Sequence, residues 1–279
     1  MEGASSVGKN KKSFLRILAC AVCLGLISFA APAALLGAQQ TSPPSSPPSP
    51  SLPSRISPKA RELLNQAIQA LGGPAFLTFK NISTTGRVFA FSNGQMSAVE
   101  PFKSTYEPPD KRRFSYGKGK PVILINKGDQ AWELDQYGLI HQLPEQVRQW
   151  KIANHYSLDN LFRSVIKETG VLILDHGVDF VANQPAYVID ITDTRNVQIH
   201  LYLHKSNYLP LRVTYRVQNS ITQDWDDYTD DYSNYERFDG IMTPMSLSRS
   251  LDGDRIGQTF RSGAHYNVAV PPNYFEPSR

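Results

Sequence analysis

The chain has 279 residues, with 29 Lys and Arg against 25 Asp and Glu, a formal net charge of +4. Its only cysteines are Cys20 and Cys23, so a chain that loses its N-terminal segment has no disulfides, thiol nucleophile or Cys-ligated metal, and its core rests on burial alone. No basic patch argues for nucleic acid.

Lys9, Lys11 and Lys12 form a positive start, with Arg16 just beyond. Residues 17–36 carry no charge, and Leu24, Leu26, Ile27 and Phe29 give them an apolar centre. Ala31-Pro32-Ala33 and Leu36-Gly37-Ala38 are candidate cleavage sites, which makes residues 1–38 a secretory signal. The competing reading is an uncleaved membrane anchor, since about 20 apolar residues span a bilayer. Gly25, Ser28 and Pro32 weaken it. Residues 1–38 hold four of the basic residues and one acid, so removing them leaves 25 basic and 24 acidic residues and a net charge of +1.

Residues 39–56 are rich in Pro and Ser and read as an extended, solvated linker. The folded domain is expected over 57–279. Ser57 is a good N-cap and Pro58 suits the first helical position; Leu63, Leu64, Ala67, Ile68 and Leu71 then recur at helical spacing until Gly72-Gly73.

From Ile82 onward, short runs rich in Val, Ile, Thr, Tyr and Phe alternate with turn signals. Ser92-Asn93-Gly94 is a strong hairpin signal, and Asn126-Lys127-Gly128-Asp129 and Tyr137-Gly138 set further close antiparallel turns. A helical interlude is expected from about Glu145 to Glu168, including Trp150. Ser157 caps its second part, in which Leu158, Leu161, Phe162, Val165 and Ile166 share a face, with Gly170 past the end. Strands then resume to the C-terminus. The class is α+β, mainly β: a curled antiparallel sheet of about ten or eleven strands, with helices covering its concave face.

Catalytic motifs are missing from the sequence: there is no G-x-S-x-G, phosphate loop, H-E-x-x-H or dinucleotide fingerprint. Gly117 and Gly119 read as a turn. His200 and His204 share a strand face at about 13 Å, too far apart to chelate one metal. The acidic residues Asp224, Asp226, Asp227, Asp230 and Asp231 read as a solvated strand edge, where charge discourages pairing. No metal and no cofactor is expected. The 13 Tyr and 13 Phe are core or cross-strand pairs, or the lining of an apolar cavity in an unclosed sheet.

The order of the segments resembles the bacterial outer-membrane lipoprotein carrier superfamily (LolA-like), especially its outer-membrane lipoprotein-sorting group. ARELLNQAIQALGGPAFLTFKNISTTGRV is similar to that group's opening helix, double Gly and first strand. YEPPDKRRFSY and GDQAWELD look like later strands, and VQIHLYLHKSNYLPLRVTYRV resembles the central hairpin. NYERFDGIMTPMSLSRSLDG and VAVPPNYFEP complete the likeness. The Pro/Ser linker departs from the usual plan of the carriers. The resemblance implies an open half-barrel under helices, with an apolar cavity that accepts lipid chains. The residues expected in that cavity are Leu64, Ile68, Leu71, Trp150, Leu161, Phe162 and Val165.

The leading expectation is therefore a non-enzymatic carrier of lipid or lipoprotein acyl chains in the bacterial cell envelope, with the acyl chain itself and an envelope protein as expected partners and the chain a monomer. An envelope sensor reporting to a protein partner is the alternative, and a hydrolase with an unrecognised site is the third.

Overall fold

The computed structural model describes residues 55–219 and 222–277. The expected signal and most of the expected linker lie outside the described residues. Strand β1 (Arg55–Ile56) leads into α1 (Pro58–Leu71) and α2 (Pro74–Thr78). A first meander follows: β2 (Ile82–Ser92), β3 (Gln95–Glu107), β4 (Lys111–Tyr116), β5 (Val122–Lys127), β6 (Gln130–Asp135) and β7 (Gly138–His141). Two helices, α3 (Pro144–His155) and α4 (Leu158–Arg163), and a 3-10 turn (Val165–Lys167) separate it from the second meander. That second meander comprises β8 (Leu172–Val181), β9 (Gln184–Thr192), β10 (Gln198–His204), β11 (Pro210–Gln218), β12 (Trp225–Phe238), β13 (Ile241–Leu251) and β14 (Asp254–Tyr266).

All the strands belong to one open sheet of 14, in the order β1-β8-β9-β10-β11-β12-β13-β14-β2-β3-β4-β5-β6-β7. Every pairing is antiparallel except that of β1 with β8. The expected mainly-β class with a curled, unclosed sheet is what the chain adopts, but the strand count is higher than ten or eleven. β1 has two residues and β7 four, too short for alternation to register.

The two meanders join along β14 and β2. Gly86 sits at this seam: a Cβ there would lie 2.0 Å from the Phe260 carbonyl oxygen and 2.8 Å from the Arg261 Cα. Only glycine lets the backbones approach so closely. The β2–β3 turn places Asn93 and Gly94 at φ 51° and 72°, the left-handed pair a tight hairpin requires.

Local caps hold the helices where the chain signals them. Ser57 Oγ accepts from the Ala60 N–H at 3.3 Å, and Ser157 Oγ accepts from the Asn160 N–H at 3.4 Å. The single run expected to continue from Ser157 to Glu168 instead breaks at Ser164, where φ −126° and ψ −64° leave the helical region before the 3-10 turn.

The main core lies between these helices and β8–β13. Leu63, Leu64 and Ala67 of α1, with Leu161 and Phe162 of α4, pack against Ile173, Ile189, Ile191, Ile199, Leu201 and Val213. A second, smaller cluster on β2–β5 groups Val88, Ala90, Phe102, Phe114, Tyr116, Val122 and Leu124.

The acidic run is not a solvated edge. β12 lies inside the sheet between β11 and β13. Asp231 receives two bonds from Arg212 at 2.6 and 3.1 Å, and Asp227 two from Arg216 at 2.5 and 2.6 Å. Asp230 is fully buried and receives two from Arg249 at 2.6 and 2.5 Å. Cross-strand arginines on both neighbours neutralise a charge run that, taken alone, repels pairing.

Candidate functional site: an apolar cavity between the two cores

A cavity of about 230 Å³ opens between the helices and the middle of the sheet, lined by members of both core clusters. Strand register builds its floor. Tyr232, Leu247, Thr259 and Val88 are direct cross-strand neighbours from β12 through β13 and β14 to β2, and all four line the cavity. A second row, Tyr266, Ile82, Tyr106 and Arg112, runs from β14 through β2 and β3 to β4. Thr84, Ser104 and Phe114 form a third. Registered neighbours share a sheet face, so these rows turn side chains from six strands toward one space.

The wall is mostly apolar and aromatic. Phe102 and Phe114 stack at 5.4 Å with an interplanar angle of 15°, and the Arg112 guanidinium covers the Phe114 ring at 5.6 Å. Leu71 and Phe76 from α1 and α2, Trp150 from α3 and Leu158 from α4 close the helical side. One end is pinned: the Tyr106 hydroxyl and the Asn154 and Asn160 side-chain amides all donate to the Pro109 carbonyl, at 2.9, 2.7 and 2.8 Å. These bonds tie the α3–α4 junction to the β3–β4 turn. Burial pushes the Tyr106 phenol far above its ordinary range, so it stays a neutral donor.

Several polar side chains in the wall are engaged by the protein itself. Thr243 and Tyr266 share a hydrogen bond of 2.8 Å, and Arg249 is held by Asp230. Arg261 donates from Nη1 to the Pro244 carbonyl. Asp159, near the start of α4, is half-buried and lines the cavity.

Of the residues expected in a cavity, Leu71 and Trp150 are in its wall. Leu64, Leu161, Phe162 and Val165 are in the main core, and Ile68 packs partly buried against it. The residues that sequence reasoning did not single out are those of the floor: Val88, Phe102, Phe114, Tyr232 and Leu247. Alternation on β3, where Phe102, Ser104 and Tyr106 share a face, was the available signal, but only register shows which strands meet over a void.

A second depression of about 660 Å³, lined by Asp129, His141, Arg148, Lys151 and Arg195 among others, is more open. Ion pairs of Lys151 with Asp129 and of Arg148 with Glu145 already engage its charges. On the outer face of the sheet, Asp190 is bonded by two imidazoles, His176 Nδ1 at 2.8 Å and His200 Nδ1 at 2.6 Å. His204 is engaged separately, its Nδ1 accepting from the Ser206 N–H at 3.2 Å.

No family model matches the chain, and no curated protein matches it. Among solved structures, it is similar to a DUF1329 family protein from Desulfovibrio piger, with a TM-score of 0.53 at 14% identity over 78% of this chain and 97% of that one. A putative outer membrane lipoprotein-sorting protein domain from Vibrio parahaemolyticus gives 0.49 at 11% identity, covering 78% and 97%. The LolA superfamily protein NE2245 from Nitrosomonas europaea gives 0.47 at 14% identity, covering 77% and 96%. The likeness to the DUF1329 family protein is one of fold, over nearly the whole of that chain.

Proposed function

We propose that this chain binds and carries a lipid or lipoprotein acyl chain in the cavity between its two cores, without covalent chemistry, in the bacterial cell envelope. Residues 1–38 direct export, residues 39–56 hold the domain clear of what precedes it, and residues 57–279 do the binding. Among the described residues, no helix is long and apolar enough to cross a membrane.

The cavity itself carries this reading. Its floor of Val88, Phe102, Phe114, Tyr232 and Leu247 and its roof of Leu71, Phe76, Trp150 and Leu158 surround it with apolar and aromatic side chains against which an acyl chain can pack. Each methylene taken up from water is worth about 0.8 kcal/mol, so one chain supplies most of an affinity. The volume of about 230 Å³ falls below the roughly 300–1,000 Å³ of pockets that enclose drug-sized ligands. It suits a single chain segment, and a longer one needs the helices to shift off the sheet.

The test is to express the full chain, purify it from the envelope without detergent and analyse an organic extract by mass spectrometry. Phospholipid or acylated peptide in near-equal amount to protein is the expected result. Protein that is empty on purification, and stays empty after incubation with phospholipid vesicles, overturns the proposal.

A further inference from the structure

Resting on that reading of the cavity, we propose that it selects an amphiphile whose head bears a protonated amine beside a phosphate, the amine held by Asp159 and the phosphate by Arg261.

Asp159 is the starting observation. Its carboxylate faces the cavity and has no hydrogen bond or ion pair among the described residues. A partner is close in sequence: Arg163 is one helical turn on, at the spacing where opposite charges meet on a helix. Arg163 turns away instead. Its Nη2 donates to the Phe79 carbonyl at 2.9 Å and its guanidinium covers the Phe79 ring at 4.3 Å. Asp159 is therefore left half-buried in the cavity wall as an acceptor without a donor among the described residues, open to a cationic group that enters.

Arg261 supplies the complementary pole. It lines the same cavity, and among the described residues only Nη1 of its guanidinium is engaged, by the Pro244 carbonyl. Asp159 and Arg261 sense each other electrostatically but do not meet in an ion pair. A ligand head with a cation and an anion in tandem satisfies both groups, while its chain lies along Val88, Leu247 and Phe114. A head with only an anion leaves Asp159 unpaired and adds a repulsion. A quaternary ammonium brings charge but no N–H to donate.

Burial pushes the Asp159 carboxyl above the ordinary range, despite the opposing pull of Arg261 and Arg163. An arriving ammonium opposes that shift by favouring the carboxylate.

The experiment offers the purified full chain mixed vesicles containing equal amounts of phosphatidylethanolamine, phosphatidylglycerol and phosphatidylcholine with identical acyl chains. The lipid that leaves with the protein is then quantified by mass spectrometry. The expected result is about tenfold enrichment of phosphatidylethanolamine, as fits one charge-assisted hydrogen bond. Asp159→Asn should erase that preference, and Arg261→Gln should reduce both phosphatidylethanolamine and phosphatidylglycerol. Asp159→Asn should also melt at the wild-type temperature or above, because it removes an uncompensated charge.

Equal uptake of the three lipids, or a preference that survives Asp159→Asn, overturns the assignment while leaving carriage intact. A lower melting temperature for Asp159→Asn marks the carboxylate as a structural group and overturns it too. No uptake of any lipid fells this inference together with the carriage on which it rests.

Discussion

Asp230 and Arg249 face each other directly across β12 and β13 and join through two bonds of 2.6 and 2.5 Å, with the carboxylate fully buried. Removing one partner leaves the other charge uncompensated inside the sheet. Asp230→Ala should therefore cost about 3–5 kcal/mol of stability. Replacing both, as Asp230→Leu with Arg249→Met, should recover most of the loss. Urea unfolding of the three proteins checks this, and a mild single variant would show that the pair is reached by water.

The outer-face cluster makes a prediction about pH. The hydrogen bond from its imidazole to Asp190 raises the His176 pKa above its ordinary value, so the folded state holds this proton more tightly than the unfolded chain. That stabilisation is fully present below about pH 6.5, the unfolded value, and is lost as pH rises through the folded one. For Asp190, burial pushes the pKa up but the bonds from His176 and His200 prevail, and it ends below the ordinary range. Its contribution is present above the usual carboxylate range and fades as pH falls through the lowered value. The urea midpoint should thus decline from about pH 6 toward 8, and Asp190→Asn should flatten that slope. NMR titration of His176 supplies the site-specific check.

At the seam between the meanders, Gly86→Ala should disrupt the β2–β14 ladder, because the added carbon has backbone rather than a flexible side chain in its way. A loss of several kcal/mol, or failure to accumulate, is expected from a clash of this kind in a packed interior. Gly119→Ala is the contrast. A Cβ there meets nothing within 4 Å, and its positive φ of 72° is the only cost. Comparing their thermal melts separates close approach from conformational strain.

Features set by a few neighbouring residues were legible in the sequence. Ser57 and Ser157 cap their helices, and Asn93-Gly94 turns its hairpin, because those geometries depend on side chains within four positions. The acidic run was misread because its partners are remote: Arg212 and Arg216 are on the preceding strand and Arg249 on the following one. The cavity floor was out of reach for the same reason. Val88 and Tyr232 are far apart in the chain, and only the register of β12, β13, β14 and β2 puts them in one row. Apolar spacing on a helix shows that Leu161 and Phe162 are buried, but it does not distinguish a packed core from a cavity wall.

That distinction gives the last prediction. Phe162 is fully buried in the main core, edge-on to Phe76 at 5.9 Å, and Leu247 lies partly buried in the cavity floor. Truncating Phe162 removes packing with nothing to replace it, so Phe162→Ala should cost about 3–5 kcal/mol. Leu247→Trp instead pushes a larger side chain into space that is already empty, so overpacking should cost about 1–3 kcal/mol at most. Their effects on lipid should run the other way. Leu247→Trp, flanked in register by Tyr232 and Thr259, fills the centre of the floor and should lower co-purified lipid several-fold. Phe162→Ala, assayed at a temperature where it is still folded, should retain it. Urea unfolding and lipid mass per mole of protein, measured on both variants, check the pair together. Lipid retained by Leu247→Trp would place the bound chain somewhere other than this cavity.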